Sequence, residues 1–294
     1  MQKTTASRKI FNVFNYLIFI VLIMLSVYPI WYIFITSVSP DSESAHFFLP
    51  GGFTMEHYAQ VFRMEGVLPA IMISVLRTLT GTGLTVLSCM LLGYLFSKPE
   101  MPFRKTLYRS LIVTMYVSGG LIPSYLVMRA YGLQNNFLVY ILPMAVSAYY
   151  VVLIKTFVEQ LPAAVEESAK LDGAGTMTIF FRIILPMSLP IIATIAVYAA
   201  VAQWNSWFDN HIYAFTEKRL LTLQYLLYTY LKQAEVLAKQ IANSPDASAN
   251  MVNALTPKTV RMTITMITVF PVLCIYPFLQ RFFVKGIMIG AVKG

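Results

Sequence analysis

Hydrophobic residues dominate six stretches of the chain, near residues 11–37, 68–96, 106–128, 137–157, 183–204 and 262–282, with polar connections between them. A helix needs about 20 mostly apolar residues to cross a bilayer, so the pattern predicts six transmembrane helices. The polar turn RAYGLQNN parts the third from the fourth. Pro123 and Pro143, inside those two spans, predict kinks that neighbouring helices can cover. The segment 161–186, LPAAVEESAKLDGAGTMTIFFRIILP, breaks this pattern. Pro162 suits the first position of a helix, Glu166 and Glu167 favour its positive end, and Gly173 is a natural stop. At about 100° per residue, Ala164, Val165, Ser168, Ala169 and Leu171 share one face, and Glu166, Glu167 and Lys170 the other. Glu166 and Lys170 are also an i,i+4 pair. The reading is a short amphipathic helix, a turn at Asp172, Gly173, Ala174 and Gly175, and a hydrophobic helix entered through Ile183, Leu185 and Pro186. Such a helix lies on a surface instead of crossing it.

Composition strengthens the membrane reading. The chain has 294 residues, 57% of them hydrophobic, and a mean hydropathy of +0.66, against an apolar share of roughly 45–50% in soluble domains. The net charge of +9 sits in short loops beside the spans, which points to membrane topology and away from nucleic acid. Lys98, Arg104, Lys105 and Arg109 surround the second connection, and Arg281, Lys285 and Lys293 lie near the C-terminus. The first connection carries Asp41, Glu43, Glu56 and Glu65 against Arg63. Both termini and residues 161–182 are therefore expected on the cytoplasmic side, with the connection 205–261 outside. Lys3, Arg8 and Lys9 precede an uncharged run over 10–40, too long for a signal-peptide core of about 7–15 residues; it reads as an uncleaved anchor. Cys89 and Cys274 both fall in apolar spans, which argues against a disulfide framework. The whole chain, 1–294, reads as one transmembrane domain.

Several chemistries are missing. His46, His57 and His211 have no metal-ligand spacing, so no metal site is expected, and nothing forms a catalytic cluster. No Asp or Glu lies inside the six spans, which weakens an ion-coupled carrier, the alternative reading. The GxxxxGK[ST] phosphate loop is absent too, so energy for uphill movement must enter through a separate protein. Arg77 stands inside an apolar span, either reaching a polar surface or exposed carbonyls, or touching a substrate. The outer segment 219–243 has helical spacing at Leu223, Leu226, Leu227 and Tyr230 and ends before the loop-like NSPDASAN. It reads as a helix packed on the membrane domain or as a docking or gating element for an external partner.

The segment 161–186 resembles the cytoplasmic EAA motif of binding-protein-dependent ABC importer permeases. Glu167, Ser168 and Ala169 stand for Glu-Ala-Ala, Gly173 follows three residues later, and Ile183, Leu185 and Pro186 give the Ile-x-Leu-Pro ending. Ser168 departs from the second motif position but remains small. SGGLIPSYLVMRAYGLQNN, QWNSWFDNHIY and YPFLQRFFVKGIMIGAVKG resemble carbohydrate-uptake permeases, in the branch for aldouronates and complex polysaccharides that includes alginate permeases. The resemblance implies an all-α membrane protein with the type I ABC importer permease fold, six transmembrane helices and a cytoplasmic coupling helix, in a bacterial inner membrane. It assigns ATPase coupling to Glu166, Glu167, Ser168, Ala169, Leu171, Asp172, Gly173 and Ala174. It implies a second homologous permease, two subunits that bind ATP and Mg, and an extracytoplasmic sugar-binding protein, with no cofactor or catalytic residue in this chain. A sugar path needs polar groups and aromatic faces. Gln203, Trp204, Asn205, Trp207, Phe208 and Asp209 supply both at the outer end of the fifth span, where an aromatic belt is the competing reading. The branch favours acidic oligosaccharides, and Arg129, Lys218, Arg219 and Lys232 are outer cations compatible with them.

Overall fold

Along the second hydrophobic stretch Ala70, Ser74, Arg77, Gly81, Thr85, Cys89 and Gly93 recur every three or four residues, and all are buried in one helix. Small side chains on that face allow other helices to approach closely. The computed structural model describes residues 6–40, 48–214, 216–242 and 258–291, which contain no strand. In chain order they form α1 (Ala6–Val38), α2 (Glu56–Arg63), α3 (Val67–Ser97), α4 (Arg104–Tyr116) and α5 (Leu121–Ala130). Two 3-10 turns, Phe137–Tyr140 and Leu142–Met144, lead into α6 (Ala148–Val158), followed by α7 (Ala163–Leu171) and α8 (Thr176–Ile179). After a π turn at Phe180–Ile184 come α9 (Leu185–Met187), α10 (Leu189–Asn205) and α11 (Phe208–Tyr213). A 3-10 turn at Lys218–Leu220, α12 (Leu223–Ala242) and α13 (Lys258–Ala291) complete the order. Lys3, Asp41, Glu43, His46, residues 243–250 and Lys293 lie outside the described residues.

The chain divides into two compact units, Met1–Glu65 with Thr229–Phe270, and Gly66–Tyr228 with Pro271–Gly294. In the first, Ile35, Val38, Val61 and Ile264 are buried. Ser37 Oγ lies 2.8 Å from the Tyr58 hydroxyl, and Lys258 Nζ donates to the Tyr32 hydroxyl at 2.9 Å. The apolar side chains of α1 from Phe11 to Leu25 are exposed, the surface that a lipid-facing helix presents.

In the second unit α6 and α10 pack along α3. Cys89, Met90, Tyr94, Val151, Ile154, Phe180 and Ile195 fill the core between them. Polar groups on α3 take up backbone groups that breaks in other helices leave free. Thr85 Oγ1 donates to the Met144 carbonyl at 2.9 Å, and Cys89 Sγ accepts from the Ser147 N–H at 3.4 Å, beside the bend that contains Pro143. Ser74 Oγ accepts from Leu223 N at 2.8 Å, satisfying the first N–H of α12, whose cap Thr222 accepts from Tyr225 N at 3.3 Å.

Among the described residues three helices, Phe11–Val38, Val67–Ser97 and Lys258–Ile275, are long and apolar enough to cross a membrane, and two bent pairs raise the number to five. The fourth expected span is the first pair, bent by 47°. The fifth does not begin cleanly at residue 183: Thr176–Met187 and Leu189–Asn205 meet at 80° across Ser188. Pro186 and Pro190 each remove an N–H donor there. The third expected span, 106–128, is two short helices, α4 and α5, parted at 117–120. Ser118, Gly119 and Gly120 make that break, with Gly120 at φ +82°. Pro123 lies in the first turn of α5, where its missing N–H costs little, so it causes no kink.

Candidate functional site

The segment around α7 closes by local rules. Pro162 is the residue before the helix and not its first, one position from the expected start. Asp172 caps the other end. Gly173, at φ +83°, donates to the Lys170 carbonyl at 3.1 Å, while Ala174 N–H reaches back to the Ala169 carbonyl at 2.9 Å. That pair of bonds is the Schellman arrangement, which needs a left-handed residue at the glycine position.

The two faces of α7 differ from the amphipathic split expected. Glu166 turns inward, its side chain 13% exposed, and pairs with Lys98 at the end of α3. The Tyr94 hydroxyl donates to Glu166 at 3.5 Å, and Lys98 Nζ sits 4.6 Å from the centroid of the Tyr94 ring. Ala169 is buried and Ala174 half-buried, whereas Leu171 is 89% exposed and Val165 is exposed. Glu167, Ser168, Asp172 and Gly173 are exposed as well. An ion pair with a residue 68 positions away reverses the assignment that helical spacing alone suggests. Lys170 bridges Glu166 at 3.6 Å and Glu100 at 3.5 Å. The Glu100 carboxyl is held below its ordinary range, first by its own backbone N–H and then by Lys170. Glu159 receives Arg104 and Lys155, each at 2.8 Å. Several cations read as topology signals are thus bound to carboxylates that order the same surface.

The second constellation surrounds the bend after α10. Arg77 is fully buried, and all five of its N–H donors are used. Two go to Gln203 Oε1 at 3.1 and 3.3 Å, one to the Ser206 carbonyl at 3.2 Å, and two to the Asp209 carboxylate at 2.5 and 3.2 Å. The guanidinium also lies over the Tyr140 ring at 4.5 Å, and the Tyr140 hydroxyl donates to the Leu220 carbonyl at 2.7 Å. Arg77 therefore does not reach a surface; it bonds a carbonyl, that of Ser206, as one branch of the expectation has it, and its other donors are taken by Gln203 and Asp209. Its acidic partner comes from just beyond the fifth span, where a search inside the spans misses it.

These bonds sort the sequence-derived path residues. Gln203 and Trp204 are buried, and Asp209 is committed to Arg77. Asn205 is exposed and accepts from Gln224 Nε2 at 3.0 Å. Trp207 stacks on Tyr228 with centroids 4.1 Å apart and planes at 16°. His211 lies 5.6 Å from Tyr228 and 5.7 Å from Tyr225. Tyr225 and Tyr228, one turn apart on α12, complete an aromatic wall that sequence reasoning missed by following the leucines; their i,i+3 spacing is the available signal. Leu223, Leu226 and Leu227 are buried, as their spacing predicts. Beneath the wall, Asn210 Oδ1 accepts from Thr222 N at 2.8 Å, and Asn210 Nδ2 donates to the Ala214 carbonyl at 3.3 Å. A separate groove of about 470 Å³, lined by Thr78, Thr82, Gly83, Ala196 and Ala200 among others, has no charged lining residue and little to offer a sugar. Among the described residues no cluster of metal-ligating side chains occurs.

No family model matches the chain. Protein LplC of Bacillus subtilis is 35% identical over 100% of the chain and 98% of LplC. The polygalacturonan/rhamnogalacturonan transport system permease protein YtcP of the same organism is 31% identical, over 97% of the chain and 99% of YtcP. The chain belongs to the sugar ABC transporter permeases. A bacterial ABC transporter involved in the import of the acidic polysaccharide alginate contains a chain with a TM-score of 0.83 and 25% identity. The match covers 96% of this permease and 100% of that chain. The permease is a transport subunit and not an enzyme; ATPase activity lies in separate subunits. Its relatives do not favour the ion-coupled carrier.

Proposed function

We propose that this permease imports acidic oligosaccharides, with α7 as the coupling helix through which ATPase subunits drive it. The observation that carries the reading is the outward face of α7. Leu171 is 89% exposed beside exposed Glu167, Ser168, Asp172 and Gly173, while Glu166, Ala169 and Ala174 hold the helix from behind. Val165 and Leu171 are both exposed on this capped helix, so it offers a partner apolar contacts beside polar ones. In this reading the chain crosses the inner membrane six times as one domain, 1–294, with α4 and α5 forming a broken third span and both termini in the cytoplasm. Residues 161–186 then face the ATPases and 205–261 the outside. The assembly contains a second homologous permease, two ATP-binding subunits that hold ATP and Mg, and an external sugar-binding protein. ATP closure moves α7 as a body and switches access from one side to the other.

The relatives named for polygalacturonan and rhamnogalacturonan and for alginate support a uronate-rich substrate. Trp207 and Asn205, at the accessible rim of the aromatic wall, are the proposed sugar contacts, with Gln203, Trp204 and Asp209 positioning them. Arg129, Lys218 and Arg219 are exposed cations available to carboxylates, whereas Lys232 is tied to Glu235 at 2.8 Å.

The coupling role is tested by Leu171→Cys in the assembled transporter. The new thiol is expected to cross-link to a cysteine scanned along the ATPase surface and to respond to ATP. Absence of cross-links throughout such a scan, in a transporter that still hydrolyses ATP, would remove α7 from the interface.

A further inference from the structure

Besides the apolar core that α7 and the turn after it share with α3 and α10 through Ala169 and Ala174, two routes lead from α7 to the bend after α10. The covalent route runs through α8, a π turn and the 80° bend at Ser188, where the Ser188 hydroxyl is buried without a hydrogen-bond partner among the described residues. That path is broken twice, so it transmits displacement poorly. The second route is α3, unbroken for 31 residues. At its C-terminal end Lys98 and Tyr94 hold Glu166 of α7, and about three turns in from its start Arg77 holds Gln203, Ser206 and Asp209. Arg77 and Lys98 are 21 residues apart in sequence, about 32 Å along a helix at roughly 1.5 Å per residue. That is close to the hydrocarbon thickness of about 30 Å.

We propose that α3 is the strut that carries movement of α7 across the membrane to the bend at 203–209, with Lys98 and Arg77 as its two positioning residues. Both pins are charge-assisted, and the outer one uses the forked guanidinium, which fixes direction as well as distance. Pulling on Glu166 therefore moves the strut, and the strut moves the backbone that bears Asn205 and Trp207. Gln203 is further confined by Gly81, where an added Cβ would lie 2.4 Å from Gln203 Nε2. The inference rests on α7 being the ATPase contact.

The test uses the complete transporter in lipid with its loaded binding protein. Lys98→Met removes the inner pin. Arg77→Lys keeps the charge but loses the fork, and Gly81→Ala displaces Gln203 without changing any charge. Each is expected to lower the maximal stimulated ATPase rate about tenfold, within the roughly 5- to 150-fold span of site-to-site coupling. The binding-protein concentration for half-maximal stimulation stays unchanged, and Lys98→Arg restores the rate. Because the pins act in series, Lys98→Met combined with Arg77→Lys is no worse than the more severe single change. Multiplying effects, a stimulated rate close to that of the unmodified transporter, or a change confined to half-saturation would overturn the strut. If the Leu171→Cys cross-link forms and any of these results is found, the strut fails alone. If the cross-link is absent from the unaltered helix, the coupling-helix reading fails first.

Discussion

A transporter carrying Gly173→Val in this permease assembles and inserts, yet sugar-loaded binding protein no longer accelerates its ATP hydrolysis. Gly173 sits at φ +83° and closes the Schellman turn through its bond to Lys170. A Cβ there meets nothing within 4 Å, so the penalty at that atom is conformational and not a clash. Placing an L-residue in the left-handed region costs about 1–2 kcal/mol, and β-branching stiffens the side chain further. The chain escapes by unwinding the last turn of α7, which reorients Leu171 and Asp172. Of the apolar core only Ala169 and Ala174 adjoin the unwound turn, and Cys89, Ile154, Phe180 and Ile195 stay packed, which is why assembly survives. The expected loss of stimulation is about tenfold or more, each decade in rate corresponding to roughly 1.4 kcal/mol. Gly173→Asn, which tolerates the left-handed region better, is expected to retain part of the stimulation. Full stimulation in Gly173→Val, measured on purified complex in lipid, would mean that the turn has no part in coupling.

Asp209→Ala has a different signature, a loss of stability. It leaves the Arg77 guanidinium fully buried with Gln203, the Ser206 carbonyl and the Tyr140 ring but no counter-charge. Removing one member of a buried ion pair costs about 3–5 kcal/mol, and a domain of this size loses a few degrees per kcal/mol, so its unfolding midpoint falls by roughly 10 °C. Replacing both partners, as in Arg77→Met with Asp209→Leu, removes the stranded charge and recovers much of the midpoint. Recovery stops short because Gln203 and the Ser206 carbonyl lose their donors. Thermal unfolding of the complex, followed separately for the single and double variants, checks both parts. An unchanged midpoint in Asp209→Ala would show that Arg77 does not depend on that carboxylate.

What could be read from the chain divides by range. The limits of α7 are local, since Pro162 and Gly173 act within a turn of themselves, and the start of the helix was misplaced by one residue. The inward turn of Glu166 depends on Lys98, 68 positions away, and no helical wheel contains that contact. The Arg77 and Asp209 pair spans 132 positions and joins a span to a loop, so a search for acids within the spans passed over it. Hydropathy located the apolar stretches but averages over their breaks. Ser118, Gly119 and Gly120 interrupt the third, which is not among the five candidate spans, and Pro186 and Pro190 flank the 80° turn at Ser188 that divides the fifth. The aromatic wall is half legible: Trp207 stands out beside the fifth span, whereas its stacking partner Tyr228 lies on a separate helix 21 residues on.

The most direct test is uptake into lipid vesicles. Labelled oligouronide is followed into vesicles holding the whole transporter, with binding protein outside and ATP with Mg inside, and into vesicles holding this chain alone under a proton or sodium gradient. The expected result is accumulation only in the first case and only with ATP present. Accumulation by the single chain without ATP would contradict ATP-driven import through α7.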